Sequence, residues 1–267
     1  MQKGPLISVV LPTYNSASTL EKCLDSIVEQ TYRSIEVIIV DSYSRDDTVE
    51  IANKFPSTVF RTRQLRSAAR NLGAKNAKGE YLIFIDADMQ LTPNVIQQCV
   101  KKSLDEKIDA IMIHEIRVAT GYWGKCRAIE RCMYVGNPLI ESARFFSKKA
   151  FESVGGFDED LEAGEDWDLH ARVEQSGFKI GSIESYVKHN EGYVTLRAIC
   201  LKRYYYGKTL SKYIEKHPDK AMVQFMPIRL DFIRNWKVLL KDPLHGTGMV
   251  LMKSIEYTTT AIAMISK

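Results

Sequence analysis

The sequence predicts an α/β fold with a mostly parallel sheet flanked by helices, on the strength of three observations. Short apolar runs rich in β-branched residues occur at 6–11, 35–40 and 81–85, which is typical of strands that are buried on both faces. Segments with apolar residues at helical spacing lie between the runs. The links are short, so strand and helix alternate as they do in a parallel sheet with right-handed crossovers.

The first strand, residues 6–11, ends at Pro12, and the second, residues 35–40, ends in Asp41. A helix is predicted after each of them. A dinucleotide-binding fold would place Gly-x-Gly-x-x-Gly directly after the first strand. That motif is absent from the sequence, so a glycine-rich turn is not expected to hold phosphates here.

Two carboxylates, Asp86 and Asp88, directly follow the third strand. Ligands of open α/β sheets bind beyond the carboxyl ends of the strands. Two anions held close together are unfavourable unless a cation lies between them, and oxygen ligands suit Mg²⁺ or Mn²⁺. The pair therefore predicts a metal site. The alternative is that both residues cap a helix that begins near Pro93.

The distribution of charge and the cysteine content indicate the compartment in which the protein is found. Residues 197–267 contain 13 Lys and Arg against 5 Asp and Glu, whereas residues 1–196 contain 24 against 28. The five cysteines are scattered and form no Cys-x-x-Cys pair, which favours a reduced, cytoplasmic compartment. The first residues do not have the composition of a signal peptide.

The basic tail is predicted to be helical from residue 194 to residue 267, after a first domain over residues 1–193. Its Tyr, Trp and Phe residues interleave with Lys and Arg, a pattern that suits a membrane interface on the cytoplasmic face. The final run, 247–265, carries Lys253 and Glu256, so we expect an amphipathic packing or interfacial helix instead of a membrane span. Packing on the first domain or formation of an oligomer is the alternative. Nothing besides the basic tail favours nucleic acid as a partner.

Several motifs, in order and at the expected spacing, resemble those of the family 2 glycosyltransferases, which have the nucleotide-sugar-binding GT-A fold. They lie at residues 10–15, 40–48, 69–73, 79–88, 154–159 and 165–169. The resemblance covers roughly residues 6–190. It implies that residues 1–193 form a GT-A catalytic domain.

The resemblance implies a set of nucleotide-binding residues. They are Pro12, Thr13, Tyr14, Asn15, Asp41, Arg66, Arg70, Asp86 and Ala87. Thr13 and Asp41 match positions that contact the base, and Arg70 matches one near the base or the diphosphate. The double acid usual in the family is here Asp41-Ser42, so the choice between UDP and GDP stays open. For Arg70 the alternative is a surface ion pair.

The resemblance also implies a divalent metal, Mn²⁺ or Mg²⁺. Asp88 matches the direct metal ligand, and Asp86 matches a carboxylate near the ribose and the metal. His189 matches a histidine that approaches the metal or the diphosphate. It follows a strand-like segment at 185–188 and precedes a predicted loop at 190–192, where an ordinary surface histidine is the alternative.

A general base is needed to take the proton from an acceptor hydroxyl. The acidic pair Glu165-Asp166 matches the family's pair in which the second residue acts as base, so Asp166 is the predicted catalytic residue. Glu165 and Trp167 are predicted to contact the acceptor. The alternative is a solvated acidic helix start, which would be favourable for the helix dipole.

These expectations lead to an inverting, metal-dependent transferase that moves a sugar from a nucleoside-diphosphate sugar to a hydroxyl of a glycan or polyprenyl-linked acceptor. Residues 86–90 are also similar to the Asp-Ala-Asp-x-Gln of dolichyl-phosphate mannose synthases, which leaves a polyprenyl-phosphate sugar synthase open. A phosphate acceptor is already ionised and needs no base, so the acidic pair favours a hydroxyl acceptor. A non-catalytic sugar-nucleotide-binding protein is the third alternative.

Overall fold

The structure, a computed structural model, describes residues 4–134, 137, 139–226 and 230–266. The chain divides into two compact units. Unit 1 comprises the residues up to His114 together with Ser142–Asp160 and Asp166–Lys188, and unit 2 comprises Glu115–Glu141, Leu161–Glu165 and the residues from His189 onward. The domain boundary predicted at residue 193 stays a prediction.

The strands of the described residues form one sheet. They are β1 (Ile7–Thr13), β2 (Ile35–Asp41), β3 (Ser57–Arg61), β4 (Tyr81–Phe84), β5 (Met89–Leu91), β6 (Ala110–Thr120), β7 (Ala143–Ser147) and β8 (Ile180–Tyr193). Their order in the sheet is β3-β2-β1-β4-β7-β6-β8-β5.

The helices follow the strands in the first half of the chain and dominate its last third. They are α1 (Ala17–Val28), α2 (Thr48–Ala52), α3 (Arg66–Asn76), α4 (Val95–Glu106), α5 (Gly121–Met133), α6 (Lys148–Ser153), α7 (Glu165–Gln175), α8 (Leu196–Lys216), α9 (Pro218–Gln224), α10 (Leu230–Arg234), α11 (Lys237–Lys241) and α12 (Pro243–Ile265).

Strand β1 lies at the centre of the parallel part of the sheet. It pairs in parallel with β2 on one side and with β4 on the other, and β2 pairs in parallel with β3. Neighbouring residues of β1 point to opposite faces, and both faces are covered, since Val9 and Val10 lie in different buried clusters. This burial explains the nearly continuous apolar run in the sequence, and the predicted α/β fold is confirmed.

Antiparallel pairing begins beyond β4. Strand β7 pairs antiparallel with both β4 and β6. Strand β3 is absent from the sequence prediction because its residues are only half buried or exposed, and a short polar run at a sheet edge lacks the apolar signal by which a strand is recognised.

Two sequence expectations are corrected here. Helix α4 begins at Val95 after Asn94, and strand β5 separates it from Asp86 and Asp88, so these carboxylates do not cap it. The predicted loop at 190–192 lies within β8. Its end is held to β6, since Val194 N–H donates to the Thr120 carbonyl at 3.2 Å.

Unit 2 has a helical core formed mainly by α5, α8 and α12. Cys126, Met249 and Met252 are fully buried in its apolar cluster. Gly207 lets α8 approach α12 closely, because a Cβ atom there would lie 2.8 Å from that of Ala263. Within the described parts of the chain, every helix is too short or too polar to cross a bilayer.

Candidate functional site

One buried arginine joins two predicted site residues that are far apart in the sequence. Arg70 Nη2 donates to Asp86 Oδ1 at 2.7 Å, and its Nη1 donates to Asp166 Oδ1 at 2.9 Å. The Arg70 side chain is 1% exposed. Its ion pairs are therefore not a surface feature, and the surface alternative for Arg70 is wrong.

The guanidinium of Arg70 rests on an aromatic ring. Its Cζ atom lies 5.1 Å from the centre of the Phe157 ring, a distance at which a cation is attracted to the π-face. Asn71, the next residue on α3, accepts from the Phe157 N–H and donates to its carbonyl, both at 2.9 Å. Phe157 is therefore held by Asn71 in a position where its ring packs against the guanidinium of Arg70.

The turn that carries Phe157 depends on two glycines and one arginine. Gly155 and Gly156 have φ angles of 78° and 71°, in the left-handed region that glycine adopts without steric cost. Arg172 of α7 donates to the carbonyls of Val154 and Gly156, and Asp168 accepts from its Nε at 2.8 Å. The Gly-Gly-Phe motif is thus a structural support of the site.

Helix α7 begins after a second tight turn. Gly164 has a φ of 80°, and a Cβ atom there would lie 2.8 Å from the Tyr213 ring. Glu165 is 3% exposed and Asp168 is fully buried, so the alternative of a solvated acidic helix start does not describe them. The side chain of Asp166 keeps 32% exposure, which leaves this carboxylate accessible.

Positive charge surrounds Asp86. Burial works to raise the pKa of Asp86, but the charges of Arg70, Arg66 and Arg144 outweigh it and hold that pKa well below its usual range. Arg144 Nη1 lies 3.9 Å from Asp86 Oδ2. Asp86 is therefore an anion that the protein itself neutralises.

The carboxylates of Asp86 and Asp88 both lie near the thiol of Cys23 in unit 1. Burial raises the pKa of the Cys23 thiol, and the negative charges of Asp88 and then Asp86 raise it further. Cys23 Sγ lies 3.7 Å from the Asp86 carbonyl oxygen. Both carboxylates at the end of β4 therefore lie near Cys23 of α1.

In the described residues, no three His, Cys, Asp or Glu side chains form a group that could hold a metal ion. Mg²⁺ needs no such group, because it commonly takes one or two carboxylates and completes its shell with water and substrate phosphate. The oxygen donors Asp88 and Asp86 fit that kind of site.

The predicted base-contacting residues form a network at the ends of β1 and β2. Thr13 and Asp41 are paired in the sheet register, and Thr13 Oγ1 donates to Asp41 Oδ1 at 3.2 Å. The Ser44 N–H donates to Asp41 Oδ2 at 3.0 Å, and Asp41 is fully buried. Asp41 thus organises the loop after β2, and its contact with a nucleobase stays a prediction.

The remaining predicted nucleotide-binding residues lie along β1, α3 and the segment after β4. Tyr14 is 62% exposed. Asn15 has a φ of 47°, and its Oδ1 accepts from the Arg45 N–H at 2.8 Å. Pro12 is half-buried, Ala87 is buried and Arg66 is exposed.

His189 and Trp167 are both partly buried. Within unit 2, His189 Nδ1 lies 3.1 Å from Glu115 Oε1. A carboxylate on one ring nitrogen is the usual support of a metal-binding histidine. The metal role of His189 and the acceptor role of Trp167 stay predictions.

Two residues of unit 1 are not among the predicted site residues. Arg144 is one of them, and a charged residue within the otherwise apolar run of Ala143–Ser147 is the signal that the sequence offers for it. Tyr43, at a φ of 56°, is 46% exposed, and its ring centre lies 5.1 Å from Arg63 Cζ. Its exposure and backbone conformation are visible only in the structure.

Known proteins similar in sequence include proteins named as synthases and glycosyltransferases. Hyaluronan synthase of Pasteurella multocida is 28% identical over 192 residues, which is 66% of this chain and 19% of that protein. The PGL/p-HBAD biosynthesis glycosyltransferase of Mycobacterium bovis is 29% identical over 179 residues, 63% of this chain and 70% of that protein. The chain thus spans about a fifth of hyaluronan synthase.

Solved structures share the fold at low sequence identity. The mannosyltransferase PcManGT from Pyrobaculum calidifontis, in complex with GDP-Man and Mn²⁺, superposes with a TM-score of 0.64 at 22% identity and covers 99% of this chain and 75% of its own. S. aureus TarS 1-349, in complex with UDP-GlcNAc, has a TM-score of 0.58 at 16% identity and covers 98% of this chain and 91% of its own. The predicted GT-A fold is confirmed.

The family itself is identified by its sequence pattern. Residues 8–152 match the family described as Glycosyl transferase family 2. That span is more than half of the 267 residues and contains the first four of the motifs noted in the sequence. The chain therefore belongs to glycosyl transferase family 2.

Proposed function

We propose that this protein is an inverting, metal-dependent glycosyltransferase that moves a sugar from a nucleoside-diphosphate sugar to an acceptor hydroxyl. The observation that carries the proposal is the pair of bonds from Arg70 to Asp86 and Asp166. It joins the residue predicted to act as base to the strand end predicted to hold the metal. Motif positions that are 16 and 96 residues from Arg70 thus belong to one site.

The donor is a nucleoside-diphosphate sugar. PcManGT is solved with GDP-Man and TarS with UDP-GlcNAc, and this chain shares their fold. Thr13 and the loop ordered by Asp41 supply the contacts to the base. Arg66, which is exposed on α3, supplies positive charge for the diphosphate, while Arg70 positions Asp86 and Asp166.

Asp88 and Asp86 would hold the metal. When bound, Mn²⁺ or Mg²⁺ stabilises the negative charge that develops on the departing nucleoside diphosphate. Because Asp86 already bonds to Arg70, we assign the direct metal contact to Asp88.

Asp166 acts as the general base. Arg70 fixes its Oδ1, which orients the carboxylate while part of it stays accessible. The acceptor hydroxyl loses its proton to Asp166, and its oxygen forms a bond to the anomeric carbon as the bond to the diphosphate breaks. Attack from the face opposite the leaving group inverts the anomeric centre. Glu165 and Trp167 contact the acceptor.

The acceptor is a glycan or a polyprenyl-linked glycan, reached from the cytoplasmic face of a membrane. Exposed apolar side chains occur along the helices of unit 2, with Ile233 60%, Trp236 50% and Leu240 60% exposed. Lysines and arginines flank them, a combination that favours anionic lipid surfaces.

Vesicle sedimentation tests the membrane part of the proposal. The substitution Leu240→Asp should weaken binding to anionic vesicles severalfold. Leu104 of α4 is 55% exposed in unit 1, and Leu104→Asp should leave binding unchanged. Equal binding by both variants and the natural chain would remove the membrane from the proposal.

Donor binding and transfer are tested together. Thermal shifts with UDP, GDP and their sugar conjugates, each with Mn²⁺, Mg²⁺ or a chelator, should show a metal-dependent rise in Tm for one base, since ligands stabilise the state that they bind. Asp166→Asn should keep that shift while kcat for transfer falls by about 10²- to 10⁴-fold.

The control for charge removal is Asp105→Asn, an exposed position on α4, which should transfer sugar at the natural rate. Retention of transfer by Asp166→Asn would overturn the assignment of the base. Radiolabelled sugar that appears on a bare polyprenyl phosphate, and not on a glycan hydroxyl, would replace this proposal with the polyprenyl-phosphate sugar synthase.

A further inference from the structure

Unit 2 contains a partly open cavity that is lined mainly by cationic side chains. The cavity has a volume of about 150 Å³, roughly that of five water molecules in the liquid. Its lining comprises Arg117, Arg127, Ile199, Lys202, Arg203, Tyr206 and Glu256. Four cations therefore face one carboxylate across a space that accommodates a phosphate group but not a whole nucleotide.

The carboxylates that offset these cations lie mostly behind the wall. Glu115 pairs with Arg117 at 3.3 Å, and Glu191 pairs with Arg127 at 3.2 Å, yet neither glutamate lines the cavity. Ion pairs that close on one side of a guanidinium leave its other N–H groups for a second partner, since arginine carries five donors.

Arg127 shows such a donor. The residue is 7% exposed, and its Nε is buried with no hydrogen-bond partner in the described residues. A buried polar group of this kind requires an explanation, and a bound ion is a common one.

The one carboxylate in the wall is itself neutralised. Glu256 Oε2 lies 3.1 Å from Arg203 Nη2 and 2.8 Å from Lys253 Nζ. The pairing through Oε2 lowers its repulsion of an incoming anion, and its Oε1 is buried with no hydrogen-bond partner in the described residues.

We propose that this cavity, which we call the arginine pocket, binds the phosphate group of a phosphate monoester or diphosphate. Phosphate suits it because three guanidinium groups and an ammonium group can share its oxygens, and arginine pairs bidentately with phosphate. A singly charged carboxylate would use only part of that positive charge. The inference is independent of the transfer reaction, because no sugar donor is involved.

The matched variants are Lys202→Gln and Arg197→Gln. Both positions are exposed on α8, and each substitution removes one positive charge, but only Lys202 lines the pocket. An additional variant, Arg127→Lys, retains the charge and removes the buried Nε donor.

Binding is measured on the full chain by calorimetry in about 0.15 M NaCl, where weak surface attraction is largely screened. One arm uses inorganic phosphate and pyrophosphate. The other uses vesicles that contain phosphatidic acid, a lipid phosphate monoester, against vesicles of equal surface charge that contain phosphatidylglycerol, a diester.

The natural chain should bind in at least one arm, and Lys202→Gln should weaken that binding about tenfold. Arg197→Gln should stay within about twofold of the natural chain, and Arg127→Lys should also lose affinity. Binding in the soluble arm alone identifies a small phosphate compound, and a preference for phosphatidic acid identifies a lipid phosphate. Absence of binding in both arms, or equal losses for Lys202→Gln and Arg197→Gln, would overturn the proposal.

Discussion

At the scale of single residues, the site depends on how Arg70 is held. Its guanidinium is buried between two carboxylates and the ring of Phe157. Each of these partners comes from a different sequence motif, so the Arg70 side chain brings three motifs into contact. Removal of one member of a buried ion pair is unfavourable chiefly because the other charges lose their compensation.

Arg70→Gln should therefore destabilise the protein by about 2–4 kcal/mol, toward the lower end because Asp86 and Asp166 are partly exposed to solvent. Urea unfolding followed by circular dichroism measures the change. Lys75→Gln, at an exposed position on the same helix, should change stability by less than about 0.5 kcal/mol. Similar losses for both variants would show that the buried pairs contribute little.

At the scale of elements, the turn after α6 explains why the Gly-Gly-Phe motif accompanies the acidic site. The left-handed turn places the Phe157 ring 4.9 Å from the Phe84 ring, measured between ring centres. The same ring contacts the guanidinium of Arg70. Arg172 binds the turn to α7 through two carbonyls. The helix that bears Asp166 and the strand end that bears Asp86 are therefore positioned by the same turn.

The two glycines allow a matched test of this turn. A Cβ atom at Gly155 would meet nothing within 4 Å, whereas one at Gly156 would lie 2.7 Å from Asn71 Oδ1. Gly155→Ala should cost about 1 kcal/mol for left-handed strain. Gly156→Ala should cost about 2 kcal/mol more, because overpacking adds to the same strain. Urea midpoints at constant m-value report both, and equal costs would show that the contact with Asn71 does not constrain the turn.

At the scale of the whole molecule, charge is distributed unevenly. In unit 1, arginines surround the acidic end of β4. In unit 2, a network of buried glutamates and cations lies among the helices. Burial works to raise the pKa of Glu130, but the charge of Lys253 and its neighbours holds that pKa below the ordinary value of 4.5. The pKa of Glu256 is lowered in the same way, chiefly by Arg203 against its burial.

A pKa that is lower in the folded state stabilises that state above the pKa of the unfolded chain, and the contribution is lost as the pH falls. Unit 2 should therefore lose stability progressively below about pH 4.5. Of the three tryptophans, Trp123 and Trp236 lie in unit 2, so fluorescence of a Trp167→Phe variant follows this unit. Glu130→Gln in that background should flatten the acid dependence. An unchanged slope would show that other groups cause it.

Much of the fold follows from local sequence. Strands β1, β2 and β4 were predicted because residues buried on both faces must be apolar, and the site motifs were recognised because tight turns and strand ends need particular residues at fixed spacing. Strand β3 and the extent of β8 were not predicted, since half-exposed and polar strands have weak periodicity.

Sequence patterns alone lead to the family, the α/β class and the candidate carboxylates Asp86, Asp88 and Asp166. The folded chain adds that Arg70 bonds two of them, that Arg144 approaches Asp86, and that residues 115–141 and 161–165 belong with the C-terminal helices. The difference lies in the distance along the chain over which each kind of interaction acts. Burial patterns and turn residues act over a few positions of one chain, whereas an ion pair across 96 positions depends on strand order and helix packing, which no local pattern specifies.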